Sequence, residues 1–230
     1  MDQIYVGVDR RQWLAYTVLQ HSIYSRATKP VQVMPLILPQ LPVTKIGLTD
    51  FTYSRYLVPW LCGFKGRSLF VDADFLCLTD INELFALFDA NYAVQVVQSK
   101  FRFEWPSLML FNNKACQDLT PEFINQPDTQ PQALQWGKVG QLPAEWNYLV
   151  GYDGPQQPAK MVHYTQGIPG FIEMQGTPYY DQWHQDLGAA LGNCSWIELM
   201  GQSVHASHVI KRLDVQRNQN RQAMLQGMKS

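Results

Sequence analysis

The sequence predicts an α/β protein with one mostly parallel, Rossmann-like sheet flanked by helices. Over the first two thirds, short apolar runs alternate with stretches of helical spacing. Apolar residues make up 46% of the 230 residues, enough to fill one large core. The chain has neither an internal repeat nor a convincing linker. We therefore expect one domain over residues 1–210, followed by a polar tail over 211–230.

The first elements follow from short patterns. The apolar run 4–8 is typical of a buried strand. Asp9 and Gln12 have the spacing of a helix cap, and apolar residues then recur at helical spacing up to about residue 26. A second strand is predicted over 31–38.

The later elements continue the alternation. A helix is predicted over 51–61, a strand over 68–72, and a helix over 81–88 that Asp80 and Glu83 can cap. Further elements are strands over 92–97 and 107–111 and a helix over 179–191. Residues 121–170 are rich in Pro, Gly, Gln and Asn and are predicted to be irregular loops that wall a site.

Composition argues against several classes of function. The 18 basic residues against 19 acidic ones give a net charge of −1, which does not favour a nucleic-acid binder. The four cysteines form no CxxC pair, so zinc and redox motifs are absent. The sequence has no signal-like N-terminus and no apolar stretch approaching 18 residues, from which we predict a cytoplasmic protein.

Asp72 and Asp74 directly follow an apolar run. Burying a carboxylate is costly unless it is paired or bound to a metal. The two acids end a predicted strand, where α/β sheets bind ligands, and extended residues two apart point to the same side. They can therefore converge on Mn²⁺ or Mg²⁺, and such an ion would neutralise a diphosphate leaving group.

Two other interpretations of these acids stay open. Asp72 can cap a turn while Asp74 is solvated. Alternatively, acid-x-acid after a buried strand is the motif of haloacid-dehalogenase-like phosphatases, with Asp72 as the nucleophile. That motif usually continues with a polar pair and lies in the first strand. Here Phe75-Leu76 follows, and the strand is the third.

Four short segments, taken in their order along the chain, resemble the motifs of a known enzyme family. They are Thr52-Tyr-Ser-Arg-Tyr-Leu-Val-Pro59, Leu69-Phe-Val-Asp-Ala-Asp74, Ser107-Leu-Met-Leu-Phe-Asn112 and His163-Tyr-Thr-Gln-Gly167. Over residues 2–175 the chain resembles the GT-A nucleotide-sugar glycosyltransferases, particularly the glycogenin- and galactosyltransferase-like family 8 enzymes and related bacterial proteins. This resemblance implies the GT-A fold and a UDP-sugar donor.

The resemblance also implies roles for residues on the nucleotide side. Gly7, Val8 and Asp9, at the end of the first strand, would contact uridine and ribose. Tyr16 would stack on the base, with an ordinary half-buried helix aromatic as the alternative. Gly167 would let backbone amides approach the phosphates.

Further implied roles concern the metal and the sugar. In the run Asp72-Ala73-Asp74, Asp72 would contact ribose and the metal, and Asp74 would be the main metal ligand. His163 would be the third protein ligand, and a structural histidine is the alternative. Arg55 would reach the donor sugar or the diphosphate, with a surface salt bridge as the alternative.

The chain departs from the family pattern on the acceptor side. Gln135 stands for the family's acceptor-side glutamine, but the preceding acid is missing. The late segment Ile168-Pro-Gly-Phe171 lacks the lysine that clamps phosphate. These departures leave two main interpretations. One is an enzyme that moves a hexose from a UDP-sugar to a glycan or other hydroxyl acceptor, with retention. The other is a non-catalytic nucleotide-sugar or glycan-binding module.

The polar tail carries five basic residues against one acid, Asp214. It could make weak contact with an anionic lipid surface, with a solvated tail as the alternative. The sequence leaves open the sugar, the acceptor, the choice between Mn²⁺ and Mg²⁺, and the oligomeric state.

Overall fold

The computed structural model describes residues 1–154, 158–192 and 219. The strands are β1 (Asp2–Gly7), β2 (Val31–Leu36), β3 (Arg67–Asp72), β4 (Phe75–Cys77), β5 (Val94–Val96), β6 (Leu108–Asn112), β7 (Val139–Gln141), β8 (Tyr148–Leu149) and β9 (Met161–His163). The α-helices are α1 (Trp13–Arg26), α2 (Val58–Leu61), α3 (Asn82–Ala86), α4 (Pro121–Asn125) and α5 (Tyr180–Ala190). Met1–Leu187 forms one compact unit. The predicted tail, apart from residue 219, lies outside the described residues.

The main sheet has six strands in the order β2-β1-β3-β6-β5-β7. β1 pairs in parallel with β2 and β3, and β5 pairs in parallel with β7. β6 runs antiparallel to both of its neighbours, β3 and β5. Five strands therefore point the same way, which confirms the predicted α/β class with a mostly parallel sheet.

The central strands are buried on both faces. Ile4 and Val6 of β1 pack in one apolar cluster with α1, whereas Tyr5 between them packs in a second cluster on the opposite face. In β3, Leu69 packs in the first cluster and Phe70 in the second. Such continuous apolar runs are expected of strands covered on both sides.

A second, three-stranded sheet has the order β4-β9-β8. The expectation that residues 121–170 lack regular structure is therefore wrong in part, because α4 and the strands β7, β8 and β9 lie there. These strands are only two or three residues long, too short to show an alternating pattern in the sequence.

Three local details also differ from the predictions. The predicted helix over 51–61 begins as a 3₁₀ turn over Ser54–Leu57 and becomes α-helical only in α2. Asp9 does not cap α1: Gln12 holds the cap position without a side-chain hydrogen bond, and the Asp9 carboxylate accepts bonds from Arg11. Asp80 accepts a bond from the Asn82 backbone N–H at the start of α3, but Glu83 bonds Thr79 and Lys160 instead.

A buried ion pair joins α5 to α1. Asp186 is 4% exposed, and its two carboxylate oxygens each lie 2.9 Å from a guanidinium nitrogen of Arg26. His21 Nδ1 lies 2.9 Å from the same carboxylate.

Removing this carboxylate should be strongly destabilising. We expect Asp186→Ala to lower the free energy of unfolding by about 3 kcal/mol, because it leaves the half-buried Arg26 guanidinium without its carboxylate partner. Urea unfolding measures the change. The matched control is Asp181→Ala, an exposed acid on the same helix, which should change it by less than about 0.5 kcal/mol. Equal effects of the two substitutions would contradict the assigned role of the ion pair.

Within the described residues, we find no helix with the length and apolar character needed to cross a membrane.

Candidate active site

The carboxyl ends of β1 and β3 lie side by side. Gly7 pairs with Asp72 in the parallel ladder, and the Ala73 N–H donates to the Gly7 carbonyl at 3.2 Å. A Cβ on Gly7 would lie 2.7 Å from Cγ of Phe51 and 2.8 Å from Cζ of Phe70. Position 7 therefore requires glycine for space, and the Asp72-Ala73-Asp74 run is tied to the end of β1.

Asp74 and His163 are brought together by the small sheet. Asp72 ends β3, and Ala73 and Asp74 form the turn to β4 rather than a continuation of the strand, yet both acids reach the same site. Phe75 of β4 pairs with His163 of β9, and the two rings stack with centroids 4.2 Å apart. The Tyr164 N–H donates to the Asp74 carbonyl at 2.9 Å. The histidine that follows Asp74 by almost 90 residues is thereby held beside it.

Asp72, Asp74 and His163 form what we call the acid–histidine cluster. One ligand atom from each lies within 4.8 Å of the other two. Nε2 of His163 is 3.4 Å from Oδ1 of Asp74. The Oδ1 atoms of Asp72 and Asp74 are both buried without a hydrogen-bond partner in the described structure. Oxygen and imidazole donors at this spacing fit a divalent cation such as Mn²⁺.

Arg55 is a fixed, buried cation beside the cluster. Its Nη1 lies 3.2 Å from Oδ1 of Asp72, but the two groups are not aligned for a hydrogen bond. Its guanidinium donates to the carbonyls of Pro106 and Phe51 and lies over the rings of Phe51 and Phe70. With its side chain only 12% exposed, Arg55 does not form the surface salt bridge considered as the alternative.

Burial and neighbouring charges shift the pKa values of the cluster. Burial raises the pKa of Asp72 to about 7; Arg55 opposes this shift, and the Asp74 charge adds to it. Burial alone would lower the pKa of His163, but the surrounding carboxylates, chiefly Asp74, outweigh it and raise that pKa. The site thus holds more negative charge than Arg55 alone can neutralise.

The sequence did not point to Glu104 and Asn147, which support His163. Glu104 is 4% exposed, accepts from Ser107 and Thr165, and places Oε2 3.7 Å from Nδ1 of His163. Asn147 donates to the Glu104 carbonyl, so its Oδ1 faces Nδ1 of His163 at 3.0 Å. This contact directs Nε2 towards Asp74, as second-sphere partners of metal-binding histidines do. Glu104 lies in a 3₁₀ segment over Arg102–Ser107 and Asn147 in a bend, so neither gave a periodic signal in the sequence.

The residues predicted to contact the nucleoside lie at the end of β1. Val8 is buried, and both oxygens of the Asp9 carboxylate accept from Arg11, whose hydrogen bonds lower the pKa of Asp9 to about 2. Tyr16 is only 8% exposed, and its hydroxyl accepts from Gln20. Its ring therefore packs in the core, as in the alternative interpretation.

A narrow cleft beside these residues has an aromatic wall that the sequence did not single out. It is lined by Val8, Trp13, Leu38 and Asp50, among others. Trp13 is 45% exposed and packs edge-on against Tyr16, with ring centroids 5.8 Å apart. Trp13, rather than Tyr16, is thus the aromatic ring available to a flat ligand at the end of β1.

Gly167 lies in a cleft that opens onto Asp74. This cleft encloses about 220 Å³, and Gln12, Thr165 and Phe171 also line it. The φ angle of Gly167 is +135°, a conformation that favours glycine. The predicted contact of this backbone with a phosphate stays a prediction.

Gln135 is not brought into this cleft. It lines a different cleft, together with Asp118, Asp128 and Trp136, and that cleft shares no lining residue with the one at Asp74. The structure therefore unites Gly7, Arg55, the acid–histidine cluster and Gly167, and leaves Gln135 outside.

Comparison with known proteins identifies a curated relative. The chain is 34% identical to Protein CDI of Arabidopsis thaliana, over 80% of this chain and 85% of the relative. No model of a known protein family matches the sequence.

Solved structures with a similar fold are glycosyltransferases. The bifunctional glycosyltransferase WbbM has a TM-score of 0.62 at 14% identity, over 91% of this chain and 51% of WbbM. GlyE of Streptococcus pneumoniae TIGR4 has a TM-score of 0.58 at 15% identity, over 84% of this chain and 62% of GlyE. The galactosyltransferase LgtC, solved with donor and acceptor sugar analogs, has a TM-score of 0.54 at 12% identity, over 82% of this chain and 96% of LgtC.

These similarities confirm the predicted GT-A fold. The chain spans about half the length of WbbM and less than two thirds of GlyE. At such low identity the resemblance shows only the fold. The function has to be argued from the site.

Proposed function

The chain belongs to the family of Arabidopsis thaliana Protein CDI, and from its fold and its site we propose that it is a metal-dependent glycosyltransferase. It would move a hexose from a UDP-sugar to a hydroxyl of a glycan or another acceptor. The observation that carries this proposal is the acid–histidine cluster at the carboxyl edge of the sheet, with two buried carboxylate oxygens that accept no hydrogen bond.

The donor set suits a hard cation. Asp72, Asp74 and His163 would hold Mn²⁺ or Mg²⁺, and the bound ion would neutralise charge on the diphosphate as it leaves. A third acid, Glu104, is buried behind His163, so this edge holds an excess of acids, three carboxylates against the one permanent cation of Arg55. A bound cation would relieve that excess, whereas an anionic diphosphate could not bind without one.

The remaining residues would orient the donor and stabilise the leaving group. Arg55 is already fixed by Pro106 and Phe51, so it would meet the developing charge without reorganising. Glu104 and Asn147 would hold His163 with Nε2 towards the ion site. The acceptor hydroxyl would form the new bond to the anomeric carbon as the bond to the diphosphate breaks. Its proton would pass to the departing diphosphate.

Retention of the anomeric configuration is part of the proposal. It rests on the resemblance to family 8, in which the hydroxyl attacks from the face that the leaving group vacates. Such a front-face reaction needs no protein nucleophile. The position of Gln135 outside the cluster is therefore compatible with it.

Calorimetric titration of UDP into the protein, with and without Mn²⁺, tests the proposal directly. We expect binding that requires the metal, and a screen of UDP-sugars would then identify the donor. Absence of UDP binding in both conditions would overturn the assignment of this nucleotide.

The nucleoside cleft gives a separate prediction. We expect Trp13→Ala to weaken UDP binding about 10-fold or more, because a stacked base loses roughly 1–3 kcal/mol without its aromatic partner. The control is Tyr16→Phe, which keeps the buried ring and removes a hydroxyl bonded only to Gln20. If only the Tyr16 variant weakened binding, the base would lie against Tyr16 rather than in the Trp13 cleft.

A non-catalytic nucleotide-sugar module is the second candidate. It is favoured by the absence of Gln135 from the site and by the lack of a lysine in Ile168-Pro-Gly-Phe171. Slow release of free sugar from UDP-sugars would count against it. The phosphatase alternative requires Asp72 as an exposed nucleophile, whereas the Asp72 side chain is 11% exposed and faces Arg55.

Three further statements from the sequence stay predictions. They are the domain boundary at residue 210, a cytoplasmic location, and weak contact of the tail with lipid.

A further inference from the structure

A roomy cleft lies away from the acid–histidine cluster. It has a volume of about 690 Å³, and all of its lining residues lie in the segment that connects β6 to β7. This volume lies within the range of small-molecule sites. None of its lining residues belongs to the cluster or to the cleft at Asp74.

Trp136 gives this cleft a rigid aromatic wall. Its indole N–H donates to the Pro131 carbonyl at 2.8 Å, and its ring packs against Phe111 at 6.2 Å and Tyr56 at 6.4 Å. Phe123 adds a second ring to the lining. A ring held by a hydrogen bond and by core contacts offers a preformed apolar surface, so little side-chain entropy is lost when a ligand packs on it.

Four of the seven polar side chains that line the cleft are uncommitted, whereas Gln117, Thr120 and Thr129 form hydrogen bonds within the protein. Asp118, Asp128, Gln130 and Gln135 all line the cleft, and their side chains make no hydrogen bond to any other described residue. The two carboxylates only accept, whereas the two amides both donate and accept. A ligand with many hydroxyl groups matches this mixture because each hydroxyl can also do both.

The charge of the lining side chains disfavours anions. The cleft carries two acids and no Lys, Arg or His. A nucleotide or phosphate would meet repulsion, in contrast to the site beside Arg55. An ammonium ligand could donate to the acids and to the amide oxygens but would leave the amide N–H groups of Gln130 and Gln135 without an acceptor.

We propose that this cleft binds a neutral oligosaccharide, with a sugar ring against Trp136 and its hydroxyls bonded to Asp128 and Gln135. The binding itself is independent of catalysis. The suggestion that the bound glycan is a distal part of the acceptor rests on the proposed function.

Saturation-transfer NMR on the full chain tests this proposal, with lactose, N-acetyllactosamine, maltotriose and cellotriose as probes. UDP is left out and EDTA is added, so that the metal site cannot contribute. We expect at least one probe to bind, and Gln135→Ala and Asp128→Ala each to weaken it about 10-fold. Gln132→Ala is the matched control: Gln132 is exposed on the same segment but does not line the cleft.

Two results would overturn the proposal. One is that no probe binds. The other is that a probe binds but is unaffected by the Gln135 and Asp128 substitutions and is displaced by UDP with Mn²⁺, which would place it at the acid–histidine cluster. UDP titration fails or succeeds independently of both, so this proposal and the proposed function can be rejected separately.

Discussion

Asp74→Asn is expected to lower the rate of sugar transfer by a factor of about 10² to 10³ and to abolish metal-dependent UDP binding. Asp74 contributes a carboxylate oxygen with no hydrogen-bond partner and lies 3.4 Å from Nε2 of His163. Asparagine keeps the shape but removes the charge that would hold the cation. Losing the ion removes several kcal/mol of leaving-group stabilisation, and each 1.4 kcal/mol is a factor of ten in rate.

The fold should tolerate this substitution. The backbone carbonyl of Asp74, which accepts from the Tyr164 N–H, is unchanged, and circular dichroism should match that of the wild type. Glu173→Gln is the matched control, because it removes one negative charge from an exposed residue near the same cleft. Normal turnover by the Asp74 variant, measured by UDP release, would refute the role of Asp74 as a metal ligand.

The fold was largely predictable because its core strands carry strong local signals. The runs that became β1 and β3 are continuously apolar, and α1 has regular helical spacing. The short strands β7, β8 and β9 could not be predicted, since their pairing is set by partners far along the chain. β9, for example, pairs with β4 through the register of Phe75 with His163.

The candidate site was likewise predictable only in part. Asp72 and Asp74 were recognisable because two acids interrupt an apolar run, and the resemblance to known enzymes added His163 and Arg55. Glu104 and Asn147 could not be identified, because their importance depends on burial against His163. Trp13 was missed because exposure separates it from Tyr16, and periodicity does not report exposure.

Asp72→Asn should make the metal-free protein more stable than the wild type at pH 8. Oδ1 of Asp72 is buried without a hydrogen bond, and Asp74 and Glu104 add negative charge nearby. Burial raises the pKa of Asp72 from 3.8 in the unfolded chain to about 7 in the fold. Between these values the native state holds a proton that the unfolded state has lost. The contribution of Asp72 to stability is therefore fully present below about pH 4 and falls as the pH rises to about 7.

The size of this effect makes it measurable. Raising the pKa of Asp72 from 3.8 to about 7 corresponds to at most roughly 4 kcal/mol, and asparagine removes this dependence of stability on pH. Urea unfolding in EDTA at pH 5 and pH 8 would show a smaller decline for the variant than for the wild type. Mn²⁺ should stabilise the wild type at pH 8 and leave the variant nearly unchanged, because binding to the native state alone raises its stability. A variant less stable than the wild type at pH 8 in EDTA would mean that the ion pair with Arg55 outweighs the cost of burying Asp72. The acid–histidine cluster would then be a structural ion pair without need of a cation.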